Sequence, residues 1–196
     1  MNPIEQTTSD RRLPLLLVPG IPLGLALGLA LMGRVWWCAA GDFWPWSWDV
    51  WSAHGSQHLV DPYALSHVQH GIVLYLLLAW LWPQRTTVFS RGVIVALIEC
   101  GWELLENTQW TIERYRQTTA SLDYQGDSIA NSLGDLTACM LGMLVAVRLP
   151  WWASWLLFIA LELLSLWWIH DSLLLNILML AWPIEAIRQW QIELSR

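Results

Sequence analysis

Acids and histidines recur at helical spacing within stretches that are otherwise apolar. Glu99, Glu103 and Glu106 stand at i, i+4 and i+7, so three carboxylates share one helix face. Asp127, Asn131 and Asp135, at i, i+4 and i+8, share another. His67 and His70 open a further apolar run, with His58 and Asp61 just before it, and Glu162 lies in a later one. A carboxylate turned toward lipid costs at least about 2.5 kcal/mol, so three on one face must point at protein or at a polar cavity. Two chemistries suit such a set. His58, His67 and His70 with Glu103 or Glu106 offer the imidazole and carboxylate ligands of a catalytic zinc or non-haem iron centre, which needs about three protein ligands and an open position. No His-Glu-x-x-His pattern accompanies them. Glu103, Glu106, Asp127 and Asp135 are equally candidates for general acid–base catalysis without a metal. A proton or ion path stays open, as does a binding or structural network. In that network Asp61, Arg114, Arg116, Asp123 and Asn131 contribute, and an arginine pairs Glu106 or Asp127.

These residues need elements to hold them, and the composition names the kind. Of 196 residues 56% are hydrophobic and 13% charged, with 10 Arg, no Lys, 16 acids and 17 Trp. A soluble domain carries about 25% charged residues. Disorder and a water-soluble bundle are both excluded, and the expected fold is an all-α integral membrane bundle of about six helices in one domain. At about 20 residues per span, the expected spans are 13–33, 64–82, 88–109, 128–147, 151–169 and 173–187. The last is short and contains Pro183, which suits a short span or an interfacial helix. The first run exceeds the apolar core of about 7–15 residues in a secretory signal and reads as a retained anchor.

Chain parity brings the polar groups together. The second span starts, the third ends and the fourth starts on the same side, so His67, His70, Glu103, Glu106, Asp127 and Asn131 fall in one leaflet. Counting arginines near span ends sets the orientation. Six spans put Arg11, Arg12, Arg85, Arg91, Arg148, Arg188 and Arg196 on one side, against Arg34, Arg114 and Arg116 on the other. Both termini are then cytoplasmic, and loops 34–63 and 110–127 are periplasmic. Five spans give an even split. Cys38 is alone outside and Cys100 and Cys139 lie in spans, so no disulfide framework follows. Two small-residue stripes, Gly20-Gly24-Gly28 and Ala130-Gly134-Ala138-Gly142-Ala146, permit close helix packing, within the chain or in a homo-oligomer. Trp36, Trp37, Trp44, Trp46, Trp48 and Trp51 read as an outer interfacial belt, and Trp151, Trp152 and Trp155 as an inner one. No basic nucleic-acid patch is present.

Several motifs follow in order: Ser56-Gln57-His58-x-x-Asp61-x-Tyr63-x-x-Ser66-His67-x-x-His70-Gly71, Glu99-x-x-Trp102-Glu103-x-x-Glu106-Asn107, Arg114-Tyr115-Arg116 and Asp123-Tyr124-x-Gly126-Asp127-Ser128-x-x-Asn131-Ser132. Together they resemble a family of uncharacterised small bacterial multi-pass membrane proteins, from about Arg34 to the C-terminus. That resemblance implies location and no chemistry. His54 falls outside the motif. More distantly, Asp127-x-x-x-Asn131-x-x-Gly134 is similar to an element of VanZ-like membrane proteins, although the spacing from Asp61 to His67 is longer here. This second resemblance implies a cell-envelope role. The expected function is a polar His/Glu/Asp chamber open to the periplasm that binds an envelope lipid or lipid-linked ligand. The alternatives are a membrane hydrolase, using metal or a carboxylate pair, and an ion path.

Overall fold

A computed structural model describes residues 12–84, 86–119 and 124–194, with 12–18 and 194 as backbone. Arg11, Arg85, Asp123 and Arg196 lie outside the described residues. In chain order the helices are α1 (Arg12–Leu31), α2 (Ala64–Leu81), α3 (Val88–Glu106), α4 (Gln109–Thr118), α5 (Ile129–Arg148), α6 (Trp151–Ile169), α7 (Leu173–Ala181) and α8 (Glu185–Leu194). No strand forms among the described residues; one parallel bridge joins Trp46 to Val60.

Hydroxyl side chains start four of the helices. Thr87 accepts from the Ser90 amide within a capping box, Thr108 from Thr111, Ser128 from Asn131 and Ser172 from Leu175. Each satisfies an amide that the first turn leaves without a partner. The central element is α5, which packs on α1, α2, α3 and α6, most extensively on α2. Its small-residue stripe explains the closeness. A Cβ on Gly142 would lie 2.0 Å from the Val68 carbonyl oxygen, and one on Gly71 of α2 would lie 1.8 Å from that of Cys139. Gly134 meets the Leu59 carbonyl oxygen in the same way, at 1.8 Å. The stripe on α5 is therefore an intramolecular seam. On α1, Gly20 and Gly24 face open space.

Two expected boundaries change. The third span, read as 88–109, ends at Glu106, and the connection 110–127 contains most of α4. Asn107 caps α3, and Thr108 at once starts the next helix. The sixth span, read as 173–187, is not a single helix. Proline lacks the amide that would continue α7 and clashes with the preceding turn, so the chain breaks around Pro183. The nine residues of α7 rise only about 13 Å, too little to cross a bilayer. Helix α8 then turns back. Gln191 donates to the His170 carbonyl (3.0 Å), Arg188 donates to that of Thr119 (3.3 Å), and the Trp190 ring lies 5.7 Å from that of His170. Thus α7 and α8 form a hairpin at the end of the bundle that carries the long loops.

Among the described residues, three helices, α2, α5 and α6, are long and apolar enough to cross a membrane. Helix α3 is long enough, but it carries Arg91, Glu99, Glu103 and Glu106. Beside apolar cores around Leu25 and Leu29 and around Val95 and Met143, burial departs from that of a water-soluble bundle. His58, Gln69, Glu99, Glu103 and Asn131 are among the most buried side chains, whereas Leu23, Leu97, Leu141, Leu156 and Leu163 are exposed.

Candidate functional site

The common face of Glu99 and Glu103 on α3 turns toward His67 and His70 on α2. Glu99 accepts from both imidazoles: His67 Nδ1 lies 2.5 Å from Oε1, and His70 Nδ1 lies 3.1 Å from Oε2. A carboxylate accepts and cannot donate when ionised, so these bonds put the ring protons on Nδ1 and leave both Nε2 atoms for other partners. His67 Nε2 is 3.8 Å from Asp135 Oδ2 on α5, and its Nδ1 is 3.5 Å from Glu103 Oε1. Ligand atoms of His67, Glu103 and Asp135 fall within 4.8 Å of one another, as do those of His67, His70 and Glu99. Both Glu103 oxygens and Asp135 Oδ1 are buried without a hydrogen-bond partner. Buried polar groups are ordinarily paired, and two adjoining carboxylates with open lone pairs are built to receive a proton or a cation.

A second layer lies nearer the loops. Asp127 accepts from Asn107 Nδ2 and from the Tyr124 hydroxyl, each at 2.8 Å, while the Asn107 side chain accepts the Asp127 amide. Burial pushes Asp127 up from the usual carboxylate range, against these hydrogen bonds and the charges of His67 and Arg34. Burial, reinforced by the charge of Asp127, pushes Asp61 up to about 6. Asp61 accepts from the amides of Tyr63 and Ser56, so it shapes the approach to α2. Burial and Glu106 hold Tyr115 well above the usual phenol range, and burial and Asp127 do the same for Tyr124. Both therefore act as hydroxyl donors, Tyr115 to Asn176 at 3.0 Å.

A cavity of about 690 Å³ joins the layers. Its polar wall includes His67, His70, Glu106, Asp127 and Asp135; Trp102, Leu173 and Ile177 give it an apolar side, and residues of the 50–57 segment cover it. Other candidates stand elsewhere. His58 belongs to a loop cluster with Cys38, Asp42 and His54, whereas His67 falls in separate groups with His70 and Glu99 and with Glu103 and Asp135, so His58 does not join the expected zinc or iron candidates His67, His70 and Glu103. Arg114 donates to the Leu180 carbonyl and Arg116 to that of Tyr124. Neither pairs a carboxylate among the described residues, because both guanidinium groups are engaged by these backbone carbonyls, and α4 packs on α3 and α7. Asn131 donates to the His58 carbonyl and fastens the loop to α5. Sequence reasoning left out Asp42 and gave Glu99 no specific role, although its spacing to Glu103 was the available signal. Tyr115 and Tyr124 entered only as motif letters.

Fold and site define a class: an all-α protein with a buried histidine–carboxylate chamber at one end of its bundle. Residues 29–193 match the family described as "Protein of unknown function (DUF2585)", and the chain belongs to that family. Its relatives include the UPF0314 protein of Paracoccus denitrificans, 47% identical over 86% of this chain and 87% of the relative. Those of Sphingopyxis alaskensis and Sinorhizobium fredii are 41% and 45% identical, over 85% and 82% of this chain and 88% and 81% of theirs. No solved structure matches.

Proposed function

We propose that the protein is a multi-pass inner-membrane protein whose chamber faces the periplasm and binds an envelope lipid or lipid-linked compound. One observation carries this reading: the cavity of about 690 Å³ sets histidines and carboxylates against Trp102, Leu173 and Ile177. A polar headgroup and an apolar chain are the two halves of one such ligand, and pockets between helices suit it. Arg11 and Arg12 at the head of the first apolar run, against Arg34 after it, favour an N-terminus in the cytoplasm. The loop end of the bundle is then periplasmic. Native mass spectrometry of protein purified in mild detergent tests the reading. Wild type retains a lipid-sized adduct, and Ser66→Trp, which fills the cavity, loses it while unfolding at an unchanged temperature. A soluble metabolite in place of the lipid would overturn the proposal.

The orphaned oxygens of Glu103 and Asp135 favour a second reading, hydrolysis of that ligand. With a metal, His67, Glu103 and Asp135 are the ligands; without one, the carboxylates serve as an acid–base pair. A metal equivalent that His67→Ala and Glu103→Gln both remove, and Cys38→Ser does not, selects the first form. Turnover that is lost in Glu103→Gln and insensitive to chelation selects the second.

A further inference from the structure

Cys38, Asp42, His54 and His58 converge at the base of the 34–63 loop. His54 Nδ1 lies 3.4 Å from Cys38 Sγ, 3.2 Å from His58 Nε2 and 3.2 Å from Asp42 Oδ2. All four side chains offer a ligand atom within 4.8 Å of the others. Hydrogen bonding does not account for this. A neutral imidazole nitrogen has one N–H or one lone pair, so His54 Nδ1 can serve one of its three neighbours.

The three distances from His54 Nδ1, 3.2–3.4 Å, lie within about 0.1 Å of the edges of a tetrahedron around zinc, and the remaining pairs lie within 4.8 Å. Zinc bonds of about 2.0–2.1 Å to nitrogen or oxygen and about 2.3 Å to sulfur set those edges at about 3.3–3.6 Å. His58 is prepared as a ligand. Its Nδ1 lies 2.6 Å from the Trp44 carbonyl oxygen, which can only accept, so the ring proton sits there and the Nε2 lone pair points into the cluster. His58 is fully buried and Cys38 is 7% exposed. Asp42 offers Oδ2 to the cluster beside His54 Nδ1, its Oδ1 lies 3.5 Å from His58 Nδ1 outside the ligand set, and the Trp37 indole donates to its backbone carbonyl.

We propose that Cys38, Asp42, His54 and His58 form a four-ligand zinc site that fastens the loop over the chamber. One thiolate, two imidazoles and one carboxylate suit zinc, and four protein ligands make the site structural. The segment tied at its two ends carries Trp51 and Gln57, which line the cavity. The covering role rests on the chamber proposed above, and the metal site does not.

Elemental analysis of the full chain in detergent should find about one zinc per protein. Cobalt exchange should produce a thiolate-to-cobalt charge-transfer band. Cys38→Ser should lose both, and His67→Ala should keep both. Absence of zinc and of the band, copper in place of zinc, or metal retained in Cys38→Ser would each overturn the site. If Cys38→Ser does not purify, the wild-type cobalt spectrum decides alone. Chelation should also speed proteolysis within residues 38–58; unchanged cleavage would overturn the fastening role. A lipid adduct that persists or fails is read separately, so the two proposals are distinguishable.

Discussion

Glu99 serves two imidazoles, whereas Glu103, one turn further along α3, has no hydrogen-bond partner for either oxygen. The two should respond oppositely to substitution. Glu99→Ala strands His67 and His70 and should cost about 3–5 kcal/mol, the range for breaking a buried pair. Glu103→Gln removes a charge that nothing nearby compensates by hydrogen bonding, so the thermal midpoint should hold or rise while chamber function falls. Thermal unfolding in detergent compares them; equal losses would make Glu103 a structural ion partner. Outside the spans, burial pushes both Asp61 and Asp171 up to about 6. Each holds its proton more tightly folded than unfolded. Its contribution is therefore full below about pH 4 and is lost as pH rises through about 6, up to about 3 kcal/mol per group. The midpoint should fall across that window. Asp61→Asn should flatten part of the fall, with a constant loss from one of its two amide bonds.

At the scale of elements, the seam between α2 and α5 leaves no room for a side chain at Gly71 or Gly142. Gly142→Leu should abolish the monodisperse peak in fluorescence-detected size exclusion. Gly24→Leu, on open space, should preserve it. A Gly24→Leu variant that halves the particle mass would instead assign the α1 stripe to a homo-oligomer. The C-terminal hairpin is a second such element. Pro183 ends α7 short, and the Gln191–His170 and Arg188–Thr119 bonds hold α8 against the end of the bundle.

Among the described residues, a buried polar cluster of His58, His67, Glu99, Glu103 and Asn131 contrasts with many exposed leucines and tryptophans. Trp36, Trp44, Trp110 and Trp167 are exposed at the loop end, and Trp80, Trp82, Trp151 and Trp152 at the other, the separation expected of two membrane interfaces. If α1, α2, α3, α5 and α6 all cross and the α7–α8 hairpin returns, the termini should lie on opposite sides rather than both in the cytoplasm. The arginines then divide five to five, and only those flanking α1 orient the chain. Reporter fusions at the N-terminus and after Leu194 check this; both reading cytoplasmic would restore the sixth span.

Sequence alone determined the all-α class, the helices around residues 64–81, 128–148 and 151–169, and the gathering of His67, Glu103 and Asp127 at one end. Apolar run length, small-residue periodicity and chain parity are local or topological quantities that need no coordinates. Tertiary structure decided three other matters. Which carboxylate each histidine meets depends on the rotation of α2 against α3, which periodicity does not specify. Whether Arg114 and Arg116 reach acids depends on how α4 packs on α3 and α7, and their spacing says nothing of that. Cys38, Asp42, His54 and His58 converge through a loop without repeat, in which Gly41 and Ser56 take positive φ and reverse the chain. No sequence period marks such an approach.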